Sequence, residues 1–187
     1  MPDTIRAFLA LEVPQTVKAA LAAGRERLRT ELPRARWVRP DGQHLTLKVL
    51  GETAAPVLDA LEADLAPRLA GLPPVKVTLE GAGCFPSPRR PRVAWVGGRA
   101  DGAADVLARI EETAEIHGFA RERRPWSLHL TQARIDRAWP PQAVERFLEW
   151  GSELELGPFL AHEVVLFASK LRPGGAVYEA LARLELS

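Results

Sequence analysis

The 187-residue sequence has one cysteine, Cys84, and therefore no pair for an intramolecular disulfide. It contains no CxxC and no HExxH motif, which are common spacings of zinc ligands. No apolar run approaches the roughly 18 uninterrupted residues that a membrane-spanning helix needs. Residues 1–15 place charged side chains around a short apolar run, which favours a first strand over a signal peptide. These absences predict a cytoplasmic protein without a structural metal site or a membrane anchor.

Lysine is also scarce, since four lysines stand against 21 arginines. The 25 positive and 24 negative side chains leave a net charge of +1, too small for a global field that attracts nucleic acid. The arginine excess suits forked contacts to phosphate, although GC-rich codon usage produces the same bias. Any contact with nucleic acid must therefore come from local clustering.

What remains is the composition of an ordinary globular domain, with 47% apolar and 26% charged residues. Hydrophobic periodicity predicts helices near residues 14–31, 55–70, 102–117 and 141–151. It predicts strands at 4–13, 44–51, 75–83, 92–97, 127–134, 160–169 and 176–185, the last two joined by a turn at 172–175.

Each half of the chain then reads as helix, strand, helix, strand, strand. This repeat suggests two similar lobes related by a pseudo-twofold axis, within a single domain that spans residues 1–187. We expect an α+β fold in which two antiparallel sheets face each other across a cleft, with the helices outside.

The tripeptide His-Leu-Thr occurs twice, at residues 44–46 and 129–131, and each copy lies on a predicted strand. At this chain's own Leu and Thr frequencies, the odds of such a recurrence by chance are on the order of 10⁻⁴. In each strand the histidine and the threonine share one face, because strand side chains alternate. A single strand histidine is usually a half-buried structural residue, but the matched pair favours a functional one.

Two imidazoles that face each other across a cleft form a metal-free acid–base pair. A neutral ring at His44 or His129 takes a proton from a nucleophile, and the other ring, when protonated, gives one to the leaving oxygen. Cleavage of a phosphodiester needs that combination. Thr46 and Thr131 are suited to donate hydrogen bonds to the non-bridging phosphate oxygens and to hold the group between the rings.

Two cations lie close to these motifs. Lys48 continues the alternation of its strand, which predicts that it shares the face of His44 and adds positive charge there. Arg134 is out of phase with His129 and reaches the cleft only through a bulge or at the strand end.

Five segments spread over nearly the whole chain resemble the 2H phosphoesterase superfamily, which is defined by two HxTx motifs. The similarity is to the bacterial and archaeal RNA 2′,3′-cyclic phosphodiesterases, historically named 2′-5′ RNA ligases. The segments are IRAFLALEVP, RWVRPDGQHLTLKVLGE, FPSPRRPRVAWVG, RPWSLHLTQAR and EVVLFASKLRPGGAVYEAL.

The resemblance implies a bilobal fold in which His44 and His129 are catalytic and Thr46 and Thr131 position the phosphate. It implies that a 2′,3′-cyclic phosphate at an RNA 3′ end, or on a nucleotide, is opened to a 2′-phosphomonoester without a metal or another cofactor.

Two further residues match family positions. Arg134, in HLTxxR, matches an arginine that the resemblance places near the phosphate. Phe8 occupies the aromatic position of the first strand, where it either stacks on a nucleobase or packs in the core. One departure precedes the second motif, where Ser127–Leu128 stands in place of the Arg-Pro or Thr-Pro pair often found in relatives.

Three alternatives stay open. The sequence has no KxDG motif of an ATP-dependent ligase, so ligation would be the ATP-independent reverse of transesterification, with the same two histidines. A non-catalytic RNA- or nucleotide-binding module would use the same cleft. The arginine-rich loops near residues 89–92 and 121–124 either guide an RNA backbone or are simply solvated. For the oligomeric state, a monomer is the default expectation.

Overall fold

The computed structural model describes residues 4–172 and 175–187. Residues 173 and 174, within the predicted turn at 172–175, lie outside the described residues. The strands are β1 (Thr4–Glu12), β2 (Arg36–Trp37), β3 (His44–Ala54), β4 (Val75–Phe85), β5 (Val93–Asp101), β6 (Leu130–Arg134), β7 (Glu155–Ala161), β8 (Glu163–Arg172) and β9 (Gly175–Glu185). The helices are α1 (Gln15–Glu31), α2 (Ala55–Leu69), α3 (Ala103–Ile116) and α4 (Pro141–Ser152), and a 3₁₀ turn spans Pro40–Gly42.

The described strands form two antiparallel sheets. Sheet A has the order β3-β1-β8-β9, and sheet B has the order β2-β6-β5-β4-β7. Every paired register within them is antiparallel. The α+β architecture with two antiparallel sheets is therefore confirmed.

The two sheets do not correspond to the two halves of the chain. Sheet A combines β1 and β3 with β8 and β9, whereas sheet B takes β2, β4 and β5 from the first half and β6 and β7 from the second. The expectation that each lobe is one half of the chain is therefore wrong. The repeat of elements is real, but the chain adds the short strand β2 to sheet B before it forms β3, crosses to sheet B again after α2 and returns to sheet A only at β8.

Helices cover the face of each sheet that points away from the cleft. On α2, apolar residues recur at helical spacing and bury their side chains in the main core, and they are Leu58, Leu61, Leu65 and Leu69. The same core takes alternate residues of β1, among them Leu9 and Leu11. The opposite face of β1 belongs to a small aromatic cluster around Phe8 and Phe167. Sheet A thus has one face in the main core and one face toward the cleft.

Helix α4 packs very closely on β4 of sheet B. An added Cβ at Gly151 would lie 2.1 Å from the Cβ of Ala82, so only glycine lets the helix approach this far. Phe147, one helical turn earlier, is fully buried in the second apolar cluster between α4 and the sheet. Helix α4 therefore packs closely on one face of sheet B, and the other face of the sheet points into the cleft.

The predicted elements differ from the structure in three places. The predicted strand 160–169 is two strands, β7 and β8, which break at His162. Most of β7 was missed because it contains Gly157 and Pro158, residues that usually mark a turn. The short strand β2 was also missed, and the strand predicted at 127–134 begins only at Leu130.

Candidate active site

A small cavity of about 170 Å³ lies between the two sheets and brings both HLT motifs together. Its lining residues are Val38, Gly42, Gln43, His44, Thr46, His129, Thr131, Arg134 and Tyr178. The predicted histidine and threonine pairs thus share one site, although His44 begins a strand of sheet A and His129 directly precedes β6 of sheet B.

The first motif opens β3, which is an edge strand of sheet A. His44 lies opposite Glu12 of β1, and Thr46 lies opposite Ala10. Ala10 belongs to the cleft-side cluster, so Thr46 and His44 point into the cleft, whereas Leu45 faces Leu11 in the main core. Sequence alternation predicted this part of the strand correctly.

Beyond Thr46 the alternation fails, because β3 carries a bulge at Leu47. The partner of Ala10 is Thr46, but the partner of Leu9 is already Lys48. A bulge of one residue reverses which face the following side chains occupy. The predicted position of Lys48 beside His44 is therefore wrong. Lys48 is 6% exposed on the core side, and its Nζ lies 2.8 Å from Glu111 Oε2 on α3.

A bulge also follows the second motif. The partner of Trp95 is Thr131, and the partner of the preceding residue, Ala94, is Ala133, which leaves Gln132 as the extra residue of β6. The side chain of Arg134 thereby returns to the face of Thr131, and it lines the cavity. The sequence predicts that Arg134 reaches the cleft only through a bulge or at the strand end. The structure contains the bulge.

His44 is enclosed by aromatic rings. Its ring centroid lies 4.6 Å from that of Phe8 and 4.7 Å from that of Tyr178. Burial lowers the pKa of His44 to about 4, although a hydrogen bond to the backbone of Gly42 acts in the opposite direction. The positive charges of Lys18, His129 and Arg134 add to the lowering. At neutral pH the ring of His44 is therefore uncharged in the ligand-free protein.

His129 has a different environment. Its Nδ1 lies 2.8 Å from the carbonyl oxygen of Ser127, and a carbonyl only accepts, so Nδ1 carries the proton and donates it. This tautomer leaves Nε2 as the atom that exchanges a proton with a ligand. The ring packs at 80° to Phe85, with centroids 5.2 Å apart. His129 thus hydrogen-bonds to the backbone two residues earlier, at Ser127.

Phe8 supports His44 and does not line the cavity. It is 7% exposed, and its ring stacks on Phe167 at 5.3 Å in addition to its contact with His44. Of the two interpretations of this residue, the structure supports core packing over nucleobase stacking. Its effect on the site is indirect, because it fixes and dehydrates the imidazole.

Several lining residues escaped sequence reasoning. Tyr178 is the only tyrosine of the chain and reaches the cavity from β9, which is distant in sequence from both motifs. Gln43 precedes His44 directly and is 2% exposed. Its position next to the motif was a usable signal, whereas nothing local pointed to Tyr178.

The remaining histidines lie elsewhere. His117 follows α3 and pairs with Asp64 at 2.9 Å, and His162 is an exposed residue between β7 and β8. Within residues 4–172 and 175–187, no group of three or more His, Cys, Asp or Glu side chains is arranged to hold a metal ion. None of the described helices is long and apolar enough to cross a membrane.

A larger surface depression, of about 660 Å³, lies beside α4 near Trp139 and Val144. It is lined mainly by apolar side chains and contains no histidine, so it offers no acid–base pair. The small cavity between the sheets is therefore the candidate active site, despite its size. Its two imidazoles, two threonine hydroxyls and one guanidinium suit a tetrahedral anionic group such as phosphate.

Comparison with known families agrees with this chemistry. The profile of the LigT like phosphoesterase family matches residues 11–95, which include the first HLT motif. An RNA 2′,3′-cyclic phosphodiesterase of Aeropyrum pernix is 33% identical over 150 residues, covering 77% of this chain and 82% of that protein. A protein of the same name from Methanocaldococcus jannaschii is 28% identical over 178 residues, covering 95% and 98%.

The fold has a close counterpart among solved structures. The crystal structure of Escherichia coli LigT complexed with 3′-AMP superimposes with a TM-score of 0.75. The two proteins are 27% identical, and the superposition covers 98% of this chain and 99% of that chain.

Proposed function

The chain belongs to the LigT-like phosphoesterase family, and on that premise we propose that it is a metal-independent RNA 2′,3′-cyclic phosphodiesterase. The observation that carries the proposal is the convergence of both HLT motifs on one cavity, with Arg134 beside them. Similar proteins named RNA 2′,3′-cyclic phosphodiesterase support the substrate class.

In the proposed reaction, a water oxygen bonds to phosphorus and the bond between phosphorus and the ribose 3′ oxygen breaks. One imidazole takes a proton from the water, and the other gives a proton to the departing 3′ oxygen. The products are a 2′-phosphomonoester and a free 3′-hydroxyl. His44 and His129 supply the two rings. The ring that is neutral before the reaction is protonated after it, and the other ring has lost its proton.

The other polar groups hold the phosphate. Thr46 and Thr131 lie half-buried on the two cavity walls, each on the same face as its histidine, and their hydroxyls donate to non-bridging oxygens. The guanidinium of Arg134 offsets the negative charge that develops on the phosphate in the transition state. Lys48 has no part in this proposal, because its ammonium pairs with Glu111 behind the sheet.

A non-catalytic binding module is the less favoured alternative. Binding an anion requires donors such as the threonines and the arginine, but it does not require two rings that exchange protons. A cavity that encloses a neutral imidazole at His44 opposite a second imidazole favours an enzyme over a binding protein.

The decisive test maps the phosphate in the product of an RNA that ends in a 2′,3′-cyclic phosphate. We expect a 2′-phosphomonoester, activity that persists in EDTA, and loss of at least about a thousandfold in kcat for His44→Ala and for His129→Ala. Turnover should depend on pH with a bell shape, because one ring must be neutral and the other protonated.

His117→Ala is the matched control, because this histidine lies outside the cavity. It should retain wild-type kcat. Inactivation by the chelator, or survival of activity in His44→Ala or His129→Ala, contradicts the proposal.

We also propose that the protein acts as a cytoplasmic monomer on RNA ends, and that it catalyses ATP-independent ligation when an RNA 5′-hydroxyl replaces water. Light scattering of the purified protein at working concentration tests the oligomeric state.

A further inference from the structure

A buried polar network in the wall of the cavity joins the two HLT motifs. Its members are Arg25 of α1, Gln43 immediately before the first motif and Gln132 immediately after the second. The exposed fractions of these residues are 5%, 2% and 0%. Side chains this polar are seldom fully buried without a partner, so their contacts are informative.

The contacts converge on one amide. Gln43 Nε2 donates to Gln132 Oε1 at 3.2 Å, and Arg25 Nη1 approaches the same oxygen at 3.5 Å. Gln132 Nε2 in turn donates to the carbonyl of Leu130, inside the second motif, at 3.1 Å. One side chain thereby connects the residue that precedes His44 with the middle residue of the other HLT.

The backbone of the wall belongs to the same network. Arg25 Nη1 donates to the carbonyl of Val38 at 2.8 Å, and the amide of Val38 donates to the carbonyl of Gln132 at 2.8 Å. Val38 itself lines the cavity. The segment that carries the first motif is thus tied to the bulge that orients Arg134.

A contribution to the stability of the fold does not explain why these polar side chains are buried. Within the described residues, no carboxylate pairs with the buried guanidinium of Arg25, and its Nε has no hydrogen-bond partner. Gln43 Oε1 is also buried without a partner. Burying such groups costs free energy relative to apolar side chains of the same size, so the network is better explained by what it positions.

We propose that Arg25, Gln43 and Gln132 are positioning residues that set the spacing between the two HLT motifs, and hence between the two imidazoles. This inference rests on the proposed phosphodiesterase function. Arg25 and Gln132 do not line the cavity, and Gln43, which does, gives its amide hydrogen bond to Gln132, so each acts through the backbone of a motif or of the cavity wall. A displacement of about 1 Å between catalytic groups lowers a rate by about a hundredfold.

The experiment replaces each glutamine by methionine, which has a similar volume and no amide. In Gln43→Met and Gln132→Met we expect kcat on an RNA 2′,3′-cyclic phosphate to fall at least about tenfold, with KM changed less than about threefold. The double variant should be no slower than Gln132→Met, because both changes break the same link. Gln43→Met removes an unpartnered oxygen and is therefore expected to fold well.

A second readout does not depend on activity. If the motifs separate and water enters, the pKa of His44 should rise from about 4 toward its ordinary value, which NMR titration of the ring measures. The titratable and charged groups near the ring remain in every variant, and they are Glu12, Lys18, His129, Arg134 and Tyr178.

The matched control is Thr113→Val on α3. Thr113 is 0% exposed and donates to the carbonyl of Arg109 at 2.7 Å, so the change removes a buried hydrogen bond away from the cavity. It should lower the melting temperature without altering kcat or the titration of His44.

Two results separate the two proposals. If the methionine variants lose stability but keep kcat and the titration of His44, the network is merely structural and this inference is overturned. If the wild-type protein does not open the cyclic phosphate, the proposed function fails. In that case the titration of His44 in the variants still decides whether the network positions the rings.

Discussion

Two histidines with the same local sequence occupy unlike surroundings. His44 is enclosed by Phe8 and Tyr178, whereas His129 contacts Phe85 from one side. The HLT repeat predicted that the two histidines form a pair and that each shares a strand face with its threonine. The deeper burial of His44 could not be predicted in this way. The rings that enclose it come from β1 and β9, which lie at opposite ends of the chain.

The low pKa of His44 makes stability depend on pH. Its value is about 4 in the folded protein against an ordinary 6.5, so between these pH values the unfolded chain binds a proton that the folded protein does not. Stability is therefore complete above pH 6.5 and falls as the pH drops toward 4. The loss amounts to at most about 3 kcal/mol.

Urea unfolding at about pH 7 and about pH 4.5 measures this effect. His44→Gln lacks the titrating ring and should lose less stability between the two conditions than the wild type. His162→Gln, which changes an exposed histidine, should behave like the wild type. Equal losses in all three proteins would mean that His44 titrates normally.

Two cations near the motifs should respond differently to substitution. Arg134→Met should raise KM for the cyclic phosphate about tenfold and also lower kcat, because it removes a charged contact that binds the phosphate and offsets the charge of the transition state. Lys48→Met should leave KM within about twofold and lower the free energy of unfolding by roughly 3 kcal/mol, because it strands Glu111. Steady-state kinetics and denaturant unfolding separate the two effects.

The added change Glu111→Leu provides the control for Lys48→Met. It should recover most of the lost stability, because no half-buried carboxylate is then left without its cation. A higher KM in Lys48→Met would restore the sequence-based placement of this lysine near the phosphate.

At the scale of elements, the strands that carry the motifs depart from regular alternation at equivalent points. Each has its extra residue directly after the threonine, at Leu47 in β3 and at Gln132 in β6. The two bulges have opposite consequences for the nearby cations, since one turns Lys48 to the back and the other turns Arg134 to the front. Alternation predicts strand faces only up to a bulge, and nothing in HLTL or HLTQ marks one.

The packing of α4 on β4 should be sensitive to one methyl group. Gly151→Ala places a Cβ 2.1 Å from Ala82 Cβ and 2.7 Å from its backbone nitrogen, so the helix must shift. We expect a loss of roughly 2 kcal/mol, because overpacking outweighs the helix propensity gained by alanine. Ser152→Ala, on the next and exposed residue, should be nearly neutral. Equal stability of both variants would show that α4 has room to adjust.

At the scale of the molecule, the element order was largely predictable, whereas the assignment of strands to sheets was not. Helical and strand periodicity are local, and they located the four α-helices of the described residues. Sheet order depends on contacts between distant segments, and the repeat of elements suggested one lobe for each half. The structure instead places β8 beside β1, with Ala7 paired to Ala168.

This crossing predicts that neither half folds alone. A fragment of residues 1–101 contains β1 and β3 but not β8 and β9, and it contains β4 and β5 but not β6 and β7. Both sheets would then have an unpaired interior strand, so we expect no cooperative thermal transition by circular dichroism. A cooperatively unfolding fragment would indicate that the first half is an independent domain.

The pairing of β1 with β8 also sets an order in time during synthesis. β1 leaves the ribosome first, yet its neighbour in the sheet is made more than 150 residues later. Contacts this distant in sequence form slowly, and domains assemble as the chain emerges. We therefore expect the nascent chain to complete sheet B before sheet A, so that the pocket around His44 closes only when β9 delivers Tyr178. The enzyme would thus acquire its acid–base pair as one of the last events of folding.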